Sequence, residues 1–161
     1  MSVPESLIAS LVSATEEVFD TMLATTLVRQ TGADGALAAP ANVVATVAFA
    51  GHRRGLVVLY SSMTAARAIT GSMLGIPIED VNGEVPDAMG EVANMVAGTF
   101  RTRLAASEPA SDISVPTVTI GNDFSTLYSS AVHRTRCPFD MQGEQISVEL
   151  ILTGEADLKR R

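Results

Sequence analysis

The sequence has one cysteine, few basic residues and no long apolar run, and each shortage excludes a class of protein. Cys137 is the single cysteine among 161 residues, so no internal disulfide can form and no second thiol can complete a metal site. There are 11 basic and 18 acidic residues, which give a formal charge of −7. Nucleic acid and anionic membranes bind clustered Lys and Arg, so neither is an expected partner.

The first residues, MSVPESLIASL, lack the basic region and the long apolar core of a signal peptide. No window of the sequence reaches the ~18 uncharged apolar residues of a membrane span. A lone thiol also suits a reducing compartment. We therefore expect a soluble, cytoplasmic protein.

Several common catalytic motifs are missing as well. His52 and His133 have no second histidine or carboxylate at metal-ligand spacing, so surface or structural roles are favoured and a zinc hydrolase is not. Ser129 and Ser130 lack the G-x-S-x-G elbow of a serine hydrolase. Neither a Walker A nor a G-x-G-x-x-G turn is present, and nucleotide binding has no support.

The patterning that is present predicts an ordered α+β domain. Hydrophobic residues make up 47% of the chain, and a chain of this length can bury roughly 70% of its unfolded surface. Ser2 and Glu5 have the spacing of a capping box, and apolar residues then recur at helical period to about Val28. We predict a first long helix over this segment.

The next segments alternate between strand and helix patterns. From Asn42, NVVATVAFA and LVVLY flank a short turn and predict a β-hairpin. Residues 63 to 74 predict a helix that stops at Gly75. Three further strands are predicted, and in the last one Ser147 and Glu149 alternate with apolar residues, which is typical of a sheet with one solvated face. The predicted fold is long helices packed on an antiparallel β-sheet. The segments of the three strands are ISVPTVTI, TLYSSAVHRTR and EQISVELILT.

A faint internal repeat supports two related halves. The segment that begins at Glu17 aligns with the segment that begins at Glu91, with three identities in nine positions and the same order of elements after each. We predict a first half over residues 1–78, a second half over residues 79–154 and a frayed tail over residues 155–161.

The stretch DAMGEVANMVAGTFRTRL, residues 87 to 104, carries the most informative pattern. At about 100° per residue its apolar side chains fall on one face, so that face is expected to be buried. Gly98 costs about 1 kcal/mol relative to Ala inside a helix, so its presence needs a reason. The opposite face carries a polar stripe: Asp87, Glu91, Asn94, Gly98 and Arg101. The alternative interpretation is that this stripe is only a solvated surface without a function.

The pattern Asp87-x-x-x-Glu91-x-x-Asn94, continuing to Gly98, resembles the CheC/CheX/FliY family of chemotaxis phosphatases, most closely the CheX branch. The resemblance covers nearly the whole chain, 1–161, as a single CheX-like phosphatase domain. It implies an enzyme that dephosphorylates the aspartyl phosphate of the response regulator CheY. Glu17 and Asp20 stand where a second E-x-x-N motif would be, so that site is expected to be degenerate.

The resemblance also implies a role for each residue. Asn94 orients the attacking water, because an uncharged carboxamide can donate and accept hydrogen bonds without repelling the phosphoryl group. Glu91 pairs with a lysine of the regulator. Asp87, Gly98 and Arg101 are the candidate partner-binding residues, although Asp87 also suits a helix start and Arg101 a solvated position.

No cofactor of the chain's own is expected, since the regulator supplies Mg²⁺ and a lysine. The CheX branch further implies a homodimer, and an edge strand such as the one ending LILTG could pair across a two-fold axis. The alternative function is a non-catalytic interaction module of a chemotaxis or flagellar switch complex.

Overall fold

The computed structural model describes residues 2–31, 41–128 and 132–153. Over these ranges the chain forms three α-helices and a seven-stranded sheet, which confirms the predicted α+β fold. The frayed tail predicted over 155–161 lies outside the described residues. The helices are α1 (Glu5–Leu23), α2 (Met63–Leu74) and α3 (Val85–Leu104), and a 3₁₀ turn spans Ile78–Asp80. The strands are β1 (Val28–Arg29), β2 (Val43–Ala50), β3 (Arg54–Ser61), β4 (Asp112–Ile113), β5 (Thr117–Ile120), β6 (Val132–Met141) and β7 (Glu144–Thr153).

The sheet is antiparallel, in the order β1-β6-β7-β3-β2-β4, and β5 also pairs with β2. The predicted hairpin is confirmed as β2 and β3, whose register runs from Val43 opposite Ser61 to Ala50 opposite Arg54. Strand β7 lies between β6 and β3. The prediction that the strand ending LILTG is a dimer edge is therefore wrong, because its backbone is already paired on both sides.

The helices cover one face of the sheet and enclose the main core. This core joins Phe19 of α1 and Phe100 of α3 to the inward side chains of the strands, and both rings are almost completely buried. The rings of Phe49 and Phe100 meet edge to face, with centroids 6.0 Å apart. The motif helix is thus fixed to the sheet by its apolar face.

The other face of β7 is buried too, which corrects the predicted solvated alternation. Ser147, Glu149 and Ile151 are all 0% exposed. Tyr60 Oη donates a 2.9 Å hydrogen bond to Glu149 Oε2, and Arg136 Nε donates a 3.1 Å bond to the same oxygen. The Arg134 Nε lies 2.6 Å from Glu149 Oε1. A carboxylate can be buried here because cationic and hydroxyl partners surround it.

The boundaries of α1 differ from those predicted. The helix begins at Glu5 after the N-cap Pro4, and no side chain caps it, so the predicted capping box is absent. Val3 is only 3% exposed, which ties the preceding chain to the core. At the other end, Ala24 adopts a left-handed conformation at φ 47° and the Thr25 N–H bonds to the Phe19 carbonyl. This turn ends the helix before Val28, which lies in β1.

Two predicted strands also have different bounds. The segment ISVPTVTI is divided between β4 and β5, and Pro116, which lies between them, has no N–H to donate to a ladder. The strand predicted from Thr126 begins at Val132 and continues to Met141. Helix α2 and its left-handed C-cap Gly75 are as predicted.

Candidate functional site

Helix α3 begins and ends with side chains that suit its dipole. Pro86 lies in the first turn, where its missing N–H is not needed. Asp87 is the acidic residue of that turn, and Arg101 and Arg103 lie in the last turn. These charges complement the partial charges of the helix ends. The structural interpretation of Asp87 as a helix-start residue therefore has a physical basis.

The five residues of the predicted polar stripe all lie outside the buried face of α3. Asp87 and Glu91 are exposed, and Asn94, Gly98 and Arg101 are partly buried. In the described part of the chain, no hydrogen bond or ion pair engages the side chains of Glu91 or Asn94. Both can therefore meet an external group. The buried face consists of Val85, Ala88, Met89, Gly90, Val92, Ala93, Val96, Ala97, Phe100 and Leu104.

The two glycines of α3 have different surroundings. A Cβ at Gly98 would meet no atom within 4 Å, so no described segment of the chain makes the close approach that its small size permits. A Cβ at Gly90 would lie 3.4 Å from both Pro116 Cγ and Val118 Cγ2. The sequence reasoning missed Gly90, although a glycine inside a helix is itself a signal of close packing.

The degenerate motif of α1 lies in an acidic cavity. Glu17 and Asp20 line a space of about 250 Å³ together with Glu16, Thr26 and Leu27. Unlike Glu91, Glu17 already has an ionic partner, because Arg103 Nη2 donates a 2.8 Å hydrogen bond to its Oε2. The two motif positions therefore differ in availability as well as in residue type.

Residues outside the two motifs have structural contacts. Glu108 accepts a 3.0 Å hydrogen bond from Arg53 Nε and lies 4.0 Å from His52 Nε2. Cys137 is 2% exposed, as predicted for a structural thiol, and burial raises its pKa. Over residues 2–31, 41–128 and 132–153, no group of three His, Cys, Asp or Glu side chains could hold a metal ion.

No helix in the same ranges is long and apolar enough to cross a bilayer.

Residues 43–140 match the family described as chemotaxis phosphatase CheX, and this match spans more than half of the chain. The protein belongs to the CheX family. The matched region contains all of α3 and its polar stripe, whereas α1, with Glu17 and Asp20, lies outside it. A search of curated protein sequences found no match.

Solved structures of similar proteins share the fold over nearly the whole length of this CheX-family chain. A chemotaxis protein CheX from Desulfovibrio desulfuricans is 25% identical with a TM-score of 0.75, over 91% of this chain and 99% of that one. A CheC-like superfamily protein from Shewanella is 22% identical with a TM-score of 0.81, over 94% of this chain and 100% of that one. In a structure from Borrelia burgdorferi, CheX forms a complex with CheY, BeF₃ and Mg²⁺. The matched chain of that structure is 21% identical to this protein with a TM-score of 0.78, over 92% of this chain and 98% of that one.

Proposed function

We propose that this protein is a phosphatase that hydrolyses the aspartyl phosphate of a CheY-type response regulator. The observation that carries the proposal is an outward-facing Glu91 and Asn94 pair on a rigid helix, with neither side chain engaged by the described chain. The proposed partner is a phosphorylated receiver domain, in keeping with the complex of the Borrelia burgdorferi relative with CheY.

In the proposed reaction, water attacks the phosphorus atom and the P–O bond to the aspartyl carboxylate breaks. The carboxylate leaves with the bonding electron pair, and the water loses a proton to the solvent. Asn94 holds the water in line with the breaking bond through its carboxamide, which both donates and accepts hydrogen bonds. Phosphoryl transfer has a loose transition state, so positioning is a large part of the catalysis. The receiver would bring Mg²⁺, which offsets the charge of the phosphoryl oxygens.

The packing of α3 against the core favours this role for Asn94. The residue projects from a 20-residue helix whose opposite face is packed into the core. Its backbone is therefore fixed before the partner arrives, and less conformational entropy is lost when the carboxamide enters the receiver site.

Glu91 has a separate task in the proposal. It lies one turn before Asn94 on the same side of α3, so both side chains can reach one object. Its exposed carboxylate would pair with the receiver's lysine and set the angle at which Asn94 enters. Asp87, Gly98 and Arg101 would contact the receiver around this pair.

The Glu17 and Asp20 position is not proposed to catalyse. Asp20 would bring a negative charge towards anionic phosphoryl oxygens, where Asn94 brings none. Glu17 would have to give up its contact with Arg103 to reach a partner lysine.

A phosphate-release assay tests the proposal. The protein is added to phosphorylated receiver domains from the same cell, and the lifetime of each aspartyl phosphate is measured. Faster release from at least one receiver supports the phosphatase. If a receiver binds but its aspartyl phosphate lifetime does not change, the protein acts as an interaction module of a chemotaxis or flagellar switch complex, and the proposal is wrong.

A further inference from the structure

The chain between β4 and β5 runs alongside the polar stripe of α3. Ser111 lines a small cavity together with Arg101 of the helix. Five residues later, Pro116 lies against Gly90. Five extended residues span roughly 16 Å, and the eleven helical residues from Gly90 to Arg101 rise by about the same length. The segment therefore follows the helix in the opposite direction.

This course places exposed, uncharged side chains beside the catalytic pair. At these rises per residue, Ser114 and Val115 lie at the same height along the axis of α3 as the turn that carries Glu91 and Asn94. Val115 is 85% exposed. Residues 113 to 121 contain no charged side chain, although the whole chain carries a charge of −7. We name this surface the uncharged strip, and its exposed members on the helix side are Ser114, Val115 and Ile120. Thr117 and Thr119 are exposed too, but they lie opposite Thr46 and Val44 and face the other side of the sheet.

The strip also has an open backbone edge. In the described part of the chain, β5 pairs only with β2. The Gly121 N–H bonds to the Asn42 carbonyl, and hydrogen-bonded pairs alternate along an antiparallel ladder. The backbone groups of Val118 and Ile120 therefore point away from β2. Exposed edges of this kind are commonly shielded by charged side chains, and none is present here.

We infer that the uncharged strip is the second part of the receiver-docking surface, with Val115 as its apolar anchor. The inference rests on the proposed function. A stable interface covers about 800 Å² on each partner, which is more than five side chains on one helix can supply. A receiver seated over Asn94 must therefore extend past α3, and the uncharged strip adjoins that helix on the Gly90 side. An exposed valine there can be buried without desolvating a charge.

The substitution Val115→Asp tests the inference, with Leu127→Asp as the matched control. Leu127 is also a highly exposed aliphatic residue, at 89%. It precedes Tyr128, whose ring lies 5.4 Å from the Arg134 guanidinium on the face of the sheet away from the helices. We expect Val115→Asp to raise KM for the phosphorylated receiver about tenfold and to leave kcat unchanged. The control variant should behave as wild type.

A second measurement keeps binding separate from catalysis. The affinity of each variant for the receiver loaded with BeF₃ and Mg²⁺ is measured by titration, and Val115→Asp should weaken it by the same factor. Circular dichroism checks that both variants are folded, which is expected because both positions are exposed.

Three results would overturn the inference. An unchanged KM and affinity would exclude the uncharged strip from the interface, while continued phosphate release would leave the proposed function intact. A lower kcat with unchanged KM would mean that Val115 acts in the chemical step. A change in oligomeric state without a change in receiver affinity would assign the strip to a second copy of the chain. If the wild-type protein releases no phosphate, the proposed function fails, and the titration alone still tests the surface.

Discussion

At the scale of single residues, two glutamates show how surroundings decide a role. Glu91 is exposed and has no ionic partner in the described chain. Glu149 is fully buried, with the side chains of Tyr60, Arg134 and Arg136 around its carboxylate. The first can pair with an external cation, whereas the second is committed to the fold. Only the first is a candidate for partner binding.

The buried contact of Tyr60 predicts a loss of stability at alkaline pH. Burial first, and the Glu149 carboxylate second, raise the pKa of Tyr60 above its ordinary value of about 10. The unfolded chain therefore loses this proton before the folded one does. The stabilising effect is complete below pH ~10 and falls as pH rises further, by at most about 1.4 kcal/mol per pH unit.

Urea unfolding of the wild type and Tyr60→Phe between pH 8 and pH 11 measures this effect. Phenylalanine cannot ionise, so the variant should lose less stability above pH 10 than the wild type does. If the difference in unfolding free energy between the two proteins stays constant across this range, the proposed burial of a neutral Tyr60 is wrong.

At the scale of elements, α3 combines a packed face with a surface that its own chain leaves open. Gly98 marks the open side, since a Cβ there meets nothing within 4 Å. The substitution Gly98→Ala should raise the free energy of unfolding by about 0.5–1 kcal/mol, because alanine loses less backbone entropy in a helix. If the receiver contacts this position as proposed, the same substitution should weaken receiver binding.

Gly90→Ala is the control on the same helix. Its Cβ would press against Pro116 and Val118, so we expect a smaller gain in stability or a loss. Chemical denaturation of both variants and a receiver titration measure the two effects. A Gly98→Ala protein less stable than Gly90→Ala would contradict the described packing of α3.

The elements also show how far sequence could predict the structure. The helical period placed Glu91 and Asn94 on the outward side of α3 because burial of the apolar face fixes the phase of the whole helix. The predicted capping box failed because Pro4 and the buried Val3 determine how the chain enters α1. A local sequence pattern contains no information about such a tertiary contact.

Contacts between residues far apart in the chain explain the other differences. The burial of Glu149 depends on Tyr60, 89 residues away, so alternation alone could not show that both faces of β7 are covered. The close approach of Val118 to Gly90 likewise joins β5 to α3 only in the folded chain. The pairing of residues 1–78 with 79–154 as related halves stays a prediction.

At the scale of the whole molecule, the order of the strands restricts how subunits can pair. We propose that the subunits pair as homodimers, and β7 cannot be the edge that joins them because both of its neighbours are in place. Sedimentation equilibrium at several concentrations should give twice the 16.8 kDa mass of the chain. Val115→Asp should remain dimeric if the uncharged strip serves the receiver. A monomer at every concentration would contradict the homodimer.

The most direct measurement compares wild type and Asn94→Ala in their effect on the lifetime of a receiver's aspartyl phosphate. Loss of the water-positioning carboxamide should reduce the acceleration by about 100-fold or more. The fold should stay intact, because the side chain makes no hydrogen bond within the described chain. Receiver affinity should change little, whereas Glu91→Gln should mainly weaken binding. Wild-type acceleration by Asn94→Ala would contradict the assignment of Asn94 as the catalytic residue.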